Sequence, residues 1–397
     1  MVHKTLKKHF GFKDFKPFQQ EIIEEVLKGR DVLAVLPTGA GKSLCYQLPA
    51  LEFSGLTLVI SPLISLMKDQ VEALGKKSIR AAYLNSSLTR EEERRIQGEI
   101  RRREVKIVYV APERVFKDHF LSFLEDFSVS LIAIDEAHCI SEWGHDFRPE
   151  YRKLGNLRSE FPGVPIVALT ATATERVRSD IVRQLKFKNP GEFIGSFDRK
   201  NLFYEIRSKE NVYYDILSYL EDHSKETGII YCYTRATTER LAEKLRADGI
   251  EALPYHAGLS KKDRAEHQEK FQSGEAQVIT ATIAFGMGID KPNVRFVFHY
   301  DMPKNLEGYY QETGRAGRDG KRSQCTLFFN YRDAMRYEYF IQKTKDSTRA
   351  IVSKWQLDQM VDFCTAGICR RQLLLRYFGE NYPRNNCGMC DVCAGER

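Results

Sequence analysis

Two short stretches of this sequence are best equipped for chemistry: the turn LPTGAGKS (36–43) and the acidic pair Asp135 and Glu136. The turn follows an apolar run, in VLAVLPTGAGKS (32–43). Backbone N–H groups of such a glycine-rich turn can cradle phosphate oxygens. Thr38, Gly39 and Gly41 belong to the turn, Lys42 reaches the terminal phosphates, and Ser43 offers a hydroxyl to Mg2+. Leu36 stands where the usual pattern has its first glycine. Asp135 and Glu136 end a second apolar run, LIAI (131–134). In an open parallel sheet the strand C-termini meet at the ligand crevice. Two acids there divide the work. Asp135 holds the Mg2+ that bridges the β- and γ-phosphates, and Glu136 orients and deprotonates the attacking water.

Phosphoryl transfer also needs positive charge where the transition state gathers negative charge. QETGRAGRDG (311–320) offers Arg315 and Arg318, three residues apart between glycines and expected to share one helical face. If they complete the acid site, hydrolysis depends on closure of two domains. The cysteines suggest a second kind of chemistry. Cys45, Cys139, Cys232 and Cys325 are scattered, which fits a reducing compartment. Cys387, Cys390 and Cys393 are spaced to fold three thiolates around one ion, and a fourth closes a tetrahedron. Cys369 and Cys364 compete for the fourth place, and an iron–sulfur cluster competes with Zn2+.

DEAHCISEWGHDFRPEY (135–151) carries Trp143, Phe147 and Tyr151 among His138, His145 and Arg148, directly behind the acids. The pattern alone leaves two uses open. The aromatics pack beneath the domain, or they offer flat faces to bases while Arg148 meets phosphate.

The elements that must position these groups are legible as short apolar runs. VLAVL (32–36), TLVI (57–60), KIVYV (106–110), LIAI (131–134) and PIVAL (165–169) form one series. GIIYCY (228–233), QVIT (277–280), RFVFHY (295–300) and CTLFF (325–329) form another. Near-continuous apolar strands separated by helices predict parallel sheets covered on both faces. Two series predict two α/β domains, with a seam near SFDRKN (196–201). The expected divisions are 1–197, 198–336 and a helical, cysteine-rich 337–397. TREEERRIQGEIRRRE (89–104) reads as a solvated helix, its acids nearly cancelling its bases. The chain is 42% hydrophobic and 29% charged, as a soluble globular protein is. Its net charge of +7 permits a polyanionic partner without demanding one. No run approaches the roughly 20 apolar residues of a membrane span, and the N-terminus lacks a secretion signal's apolar core. A soluble, intracellular protein with no membrane partner is expected.

Taken in order, the motifs resemble those of superfamily-two helicases, and among them the RecQ family. They are FGFKDFKPFQQEII (10–23), LPTGAGKS (36–43), SPLISLMKDQV (61–71), APERV (111–115), DEAHCISEWGHDFRPEY (135–151), ALTATAT (168–174), FDRKN (197–201), YHAGLS (255–260), ATIAFGMGIDKPNV (281–294), YYQETGRAGRDG (309–320), CRRQLLLRYFGE (369–380) and CGMCDVC (387–393). The resemblance covers essentially the whole chain. It implies two tandem RecA-like parallel-sheet domains followed by a small helical zinc-binding module. The implied activity is ATP-dependent 3′–5′ DNA helicase action in repair or recombination, on single-stranded and 3′-tailed duplex DNA. The location is then a prokaryotic cytoplasm or a eukaryotic nucleus.

The resemblance also assigns residues. Phe12, Lys16 and Gln19 fall on an adenine-recognition motif. The family usually has Arg where this chain has Lys16, and Lys cannot stack as a planar guanidinium does, so looser ATP preference is expected. Asp290 matches a position that contacts the ribose or a motif arginine, and Arg235, His256 and Thr280 match positions near the DNA backbone. Cys369 matches the first zinc ligand. Trp143, His145, Phe147 and Arg148 become a loop that couples nucleotide to DNA, with His138 and His145 as relay. The family often continues into a winged-helix and a further helical domain, which do not follow Cys393 here; unwinding poorer than translocation is expected. An RNA helicase and a strand-annealing protein with an ATP switch are the competing readings.

Overall fold

Each apolar run marked in the sequence lies on a strand. The computed structural model describes residues 2–85, 88–117, 120–286 and 291–395. It divides into two compact units, Met1–Ser196 and Phe197–Arg397. The first holds β1 (Val32–Val35), β2 (Leu56–Ile60), β3 (Ala81–Leu84), β4 (Ile107–Val110), β5 (Val129–Ile134), β6 (Ile166–Thr170) and β7 (Gly191–Ile194) in the order β3-β4-β2-β5-β6-β1-β7. The second holds β8 (Leu202–Ser208), β9 (Thr227–Tyr231), β10 (Ala252–Tyr255), β11 (Val278–Ala281), β12 (Val294–His299) and β13 (Ser323–Phe329) in the order β10-β11-β9-β12-β13-β8. Every pairing in both sheets is parallel. Helices cover the faces, so β1, β2, β4 and β6 are buried along their whole length.

Four strands have no apolar run in the sequence reading: β3, β7, β8 and β10. They are the four edges of the two sheets. β3 and β7 alternate partly buried with buried or exposed residues, and Glu192 stands out from β7. An edge strand is covered less completely than a central one, so its sequence need not be continuously apolar.

The helix Arg90–Arg101 is the solvated one expected. A capping box joins Thr89 and Glu92, and only Ile96 and Ile100 are buried. In the second unit, the helices Tyr331–Gln342, Ser347–Thr365 and Arg370–Tyr377 precede the cysteine-rich end. These residues belong to the same compact unit as the second sheet. Among the described residues, no helix is long and apolar enough to cross a membrane.

Candidate functional site: a phosphate loop, an acid pair and a cysteine knuckle

The phosphate loop leaves β1 without needing a glycine at its start. The Leu36 N–H still pairs with the sheet at Thr170, 3.0 Å away, and its side chain is buried. Gly39 and Gly41 follow with positive φ, at 85° and 78°. Gly41 is required twice over, because a Cβ there would meet the Gln19 amide nitrogen. That amide donates to the carbonyls of Ala40 (3.0 Å) and Gly41 (3.1 Å), and Lys16 Nζ donates to the carbonyl of Gly39 (2.7 Å). In a trans peptide the N–H opposes the C=O. Holding these carbonyls on one side therefore turns the N–H groups of Gly41 and Lys42 to the other, as a phosphate cradle requires. Lys42 Nζ donates to the Leu36 carbonyl at 3.3 Å. Ser43 precedes the helix Leu44–Glu52.

The adenine-motif residues thus have structural work the sequence reading did not assign. Gln19 is buried, and its amide oxygen accepts from the Lys16 N–H at 2.9 Å. Phe12 is 55% exposed and presents an open ring.

Asp135 and Glu136 stand at the C-terminal end of β5, between β2 and β6. Glu136 has φ 48° and ψ 46°, a left-handed conformation rare outside glycine. Strain of that kind is tolerated where a side chain must be aimed. Burial, then the neighbouring Glu136, push the Asp135 carboxyl up to about 7, against the pull of Lys42. The pair therefore favours a divalent cation, which relieves the repulsion between the carboxylates. An Asp135 carboxylate and the Ser43 hydroxyl are the hard oxygen donors that Mg2+ takes.

Behind the acids the chain makes a 3-10 turn, Ala137–Ile140, and the loop returns at Tyr151. The Tyr151 hydroxyl donates to the Asp135 carbonyl at 3.0 Å. His138 Nδ1 lies 3.3 Å from Glu136 Oε2 and 2.8 Å from Thr170 Oγ1. Burial alone would lower the His138 pKa; its neighbours Cys139 and Glu136 hold it well above the ordinary imidazole value. The His138 and His145 rings stack at 4.4 Å. Trp143 and Phe147 are half-buried, with Arg176 over the first ring and Arg152 over the second. Arg148 donates to the carbonyl of Pro62 (2.9 Å) and to Asp146 (3.0 Å).

In the second unit the arginines do not share a helical face. The helix Leu306–Thr313 ends before them, and Arg315 and Arg318 lie in the glycine-rich turn that follows. Gly317 has φ 57°, and a Cβ there would run into Asn201 and Lys321. The FDRKN stretch, read from sequence as a seam, holds this turn. Arg199 donates to the carbonyls of Gly314 (3.1 Å) and Ala316 (2.8 Å), and Asn201 to that of Gly317 (2.9 Å). Arg315 is only 8% exposed and donates to the Gly286 carbonyl, whereas Arg318 is half-exposed. Arg235 is exposed. His256 is buried, with Nε2 3.0 Å from Glu239 and Nδ1 accepting from the Gly258 N–H. Thr280 is buried on β11 and donates to the Thr238 carbonyl at 2.9 Å. Asp290 lies outside the described residues.

The sulfur atoms of Cys369, Cys387, Cys390 and Cys393 lie within 4.8 Å of one another. Cys364 is buried outside that group. The set fits Zn2+: four soft thiolates at the spacing of a tetrahedral shell, with no open position. Cys390 forms an isolated parallel bridge with Tyr204 on the edge strand β8, whose N–H donates to the Met389 carbonyl at 3.3 Å. Two arginines adjacent to Cys369 secure the knuckle. Arg370 pairs with the buried Asp391 at 2.9 Å, and Arg371 donates to the carbonyl of Leu202 at 2.8 Å. Neither was singled out in the sequence. Their signal is a doubled arginine directly after a ligand cysteine.

Residues 16–181 match the DEAD/DEAH box helicase family, 208–320 the helicase conserved C-terminal domain, and 331–394 the RecQ zinc-binding family. The ATP-dependent DNA helicase RecQ of Haemophilus influenzae is 46% identical over 389 residues, covering 98% of this chain and 63% of the relative. The ATP-dependent DNA helicase RecQ of Bacillus subtilis is 44% identical over 403 residues, covering 100% of this chain and 68% of the relative. The chain thus spans about two thirds of the length of these relatives. The solved structure of Dbp5 of S. cerevisiae bound to RNA and ADP BeF3 superposes with TM-score 0.66 at 18% identity, over 86% of this chain and 90% of that one. At that identity the likeness concerns the fold.

Proposed function

The chain belongs to the RecQ family of helicases, and from that premise we propose that it is an ATP-dependent DNA helicase. It moves 3′ to 5′ along a single strand and parts duplexes that carry a 3′ tail, in DNA repair or recombination. The observation that carries the reading is the set of contacts that leads from the acid pair into the loop behind it. Glu136 meets His138, His138 stacks on His145, and Tyr151 returns to the Asp135 backbone. These contacts tie the proposed hydrolytic base to the stretch that carries Trp143 and Phe147.

In the proposed cycle the N–H groups of Gly41 and Lys42 and the Lys42 ammonium bind the phosphates. Phe12 offers its open face to the purine, with Lys16 and Gln19 beside it. Glu136 orients the water and takes its proton. When bound, Mg2+ supplies positive charge at the phosphate oxygens; Ser43 and Asp135 are the side chains that would hold it. Arg318 and Arg315 are the cations proposed to answer the charge of the transferring phosphoryl group. Trp143, His145, Phe147, Arg148, Arg235, His256 and Thr280 form the proposed DNA-responsive set, with the buried Thr280 acting through the backbone it holds. The zinc ion is structural, because four cysteines fill its shell.

A strand-separation assay decides between this reading and its rivals. Fluorescent duplexes with a 3′ tail, a 5′ tail or blunt ends are incubated with ATP, and ATPase stimulation by single-stranded DNA is compared with RNA. Opening of the 3′-tailed duplex and stronger stimulation by DNA are expected. Annealing without opening makes the ATP site a conformational switch, and stronger stimulation by RNA makes the substrate RNA.

A further inference from the structure

The helix Glu175–Gln184 grips the aromatic loop at two points one helical turn apart. At the back, the buried Asp180 accepts from Ser141 Oγ at 2.7 Å, and that oxygen in turn accepts from the Trp143 N–H at 3.2 Å. At the front, the guanidinium of Arg176 lies over the Trp143 ring. Positions 176 and 180 are i and i+4, so both side chains rise from one helical face. The backbone of the loop is thereby held, while an exposed cation lies over the indole face. The arrangement differs from that at Phe147, where Arg152 lies 5.9 Å from the ring and also pairs with Glu142.

We propose that Arg176 sets the threshold for nucleic-acid coupling by occupying the face of Trp143 that a nucleobase of single-stranded DNA would take. The inference rests on the reading of Trp143 as a base platform. A guanidinium and a base both bind an indole through its face, so they exclude one another on the face that Arg176 covers. Base stacking is the stronger of the two, so DNA prevails only after displacing the cation. The competition is strongest for a planar cation, because an ammonium binds the ring face without lying flat on it. Arg176 is in this account a specificity-determining residue and touches no reacting atom.

The test uses the full chain and labelled oligothymidylate in a double-mutant cycle. Arg176→Met keeps the length of the side chain and removes the cation. Its dissociation constant for the oligonucleotide is expected to fall about two- to five-fold, and the concentration giving half-maximal ATPase stimulation to fall with it. Arg176→Lys is expected to lie between Arg176→Met and the parent chain. In a Trp143→Ala background, Arg176→Met is expected to change neither quantity. Weaker binding of Arg176→Met, or an equal change in both backgrounds, overturns the inference: Arg176 is then a phosphate contact or a general charge. If Trp143→Ala alone leaves affinity and stimulation intact, the base-platform reading fails and the inference falls with it.

Discussion

The phosphate loop and the cysteine knuckle both concentrate charge, and they are built in opposite ways. In the loop, backbone carbonyls are turned aside by Gln19 and Lys16, and the nearby acids Asp135 and Glu136 remain half-buried. The charge on that site changes in every proposed cycle, so its groups stay adjustable and close to water. In the knuckle, Arg370 is 1% exposed, and its donors go to Asp391 and to the carbonyls of Phe363 and Ala366. A permanent ion lets every donor be committed once. A buried arginine–carboxylate pair repays its desolvation only when its remaining hydrogen bonds are also made, and here they are.

The sharpest break of the comparison is at the loop's base. Glu136→Gln is expected to lower the turnover of ATP by about 10²- to 10⁴-fold while equilibrium binding of ATP persists. Loss of binding in parallel would make Glu136 part of the cradle. At the knuckle the corresponding change reads out as stability. Arg370→Met leaves Asp391 buried without its partner and is expected to cost about 3–5 kcal/mol in denaturant unfolding. Adding Asp391→Leu should recover part of that loss; no recovery would mean that Arg370 acts through the two carbonyls alone. Midway between these effects lies the aromatic loop. Trp143→Ala or Phe147→Ala should spare nucleotide binding and reduce DNA-stimulated hydrolysis and unwinding, by up to about 1–3 kcal/mol for each base platform lost. Full stimulation in both variants would return the loop to a packing role. The smallest effect is expected at Lys16→Arg. A planar cation beside the purine should lower the KM for ATP relative to GTP by about two- to five-fold. Unchanged constants for both would confine Lys16 to its tie with Gly39.

Much of this architecture was legible because central parallel strands are buried on both faces. β1, β2 and β4 must be continuously apolar, and they stand out as such. The edges did not. β7 reads GEFI, with Glu192 and Ile194 exposed, and β10 includes Pro254. An edge strand pairs on one side only, so neither a charge nor a missing N–H disqualifies it. The acid pair and the phosphate turn were legible for a different reason. Their chemistry needs particular residue types at particular positions along one continuous segment. The helical placement of Arg315 and Arg318 failed because spacing three apart suits a turn as well as a helix, and Gly317 at positive φ selects the turn.

What the amino-acid sequence determined by itself is therefore what depends on local order. That includes two series of buried strands, the phosphate turn, the acids at a strand end, and three cysteines spaced to share an ion. Tertiary structure alone decided the partnerships between distant segments. Gln19 reaches across to the carbonyls of Ala40 and Gly41, Arg199 and Asn201 hold the arginine turn, and Arg371 fastens the knuckle to β8. For the fourth thiol, spacing left Cys364 beside Cys369, the family resemblance named Cys369, and the structure groups Cys369 with the other three. Hydrogen bonds and ion contacts form wherever a donor and an acceptor meet in space, and sequence separation carries no record of that meeting.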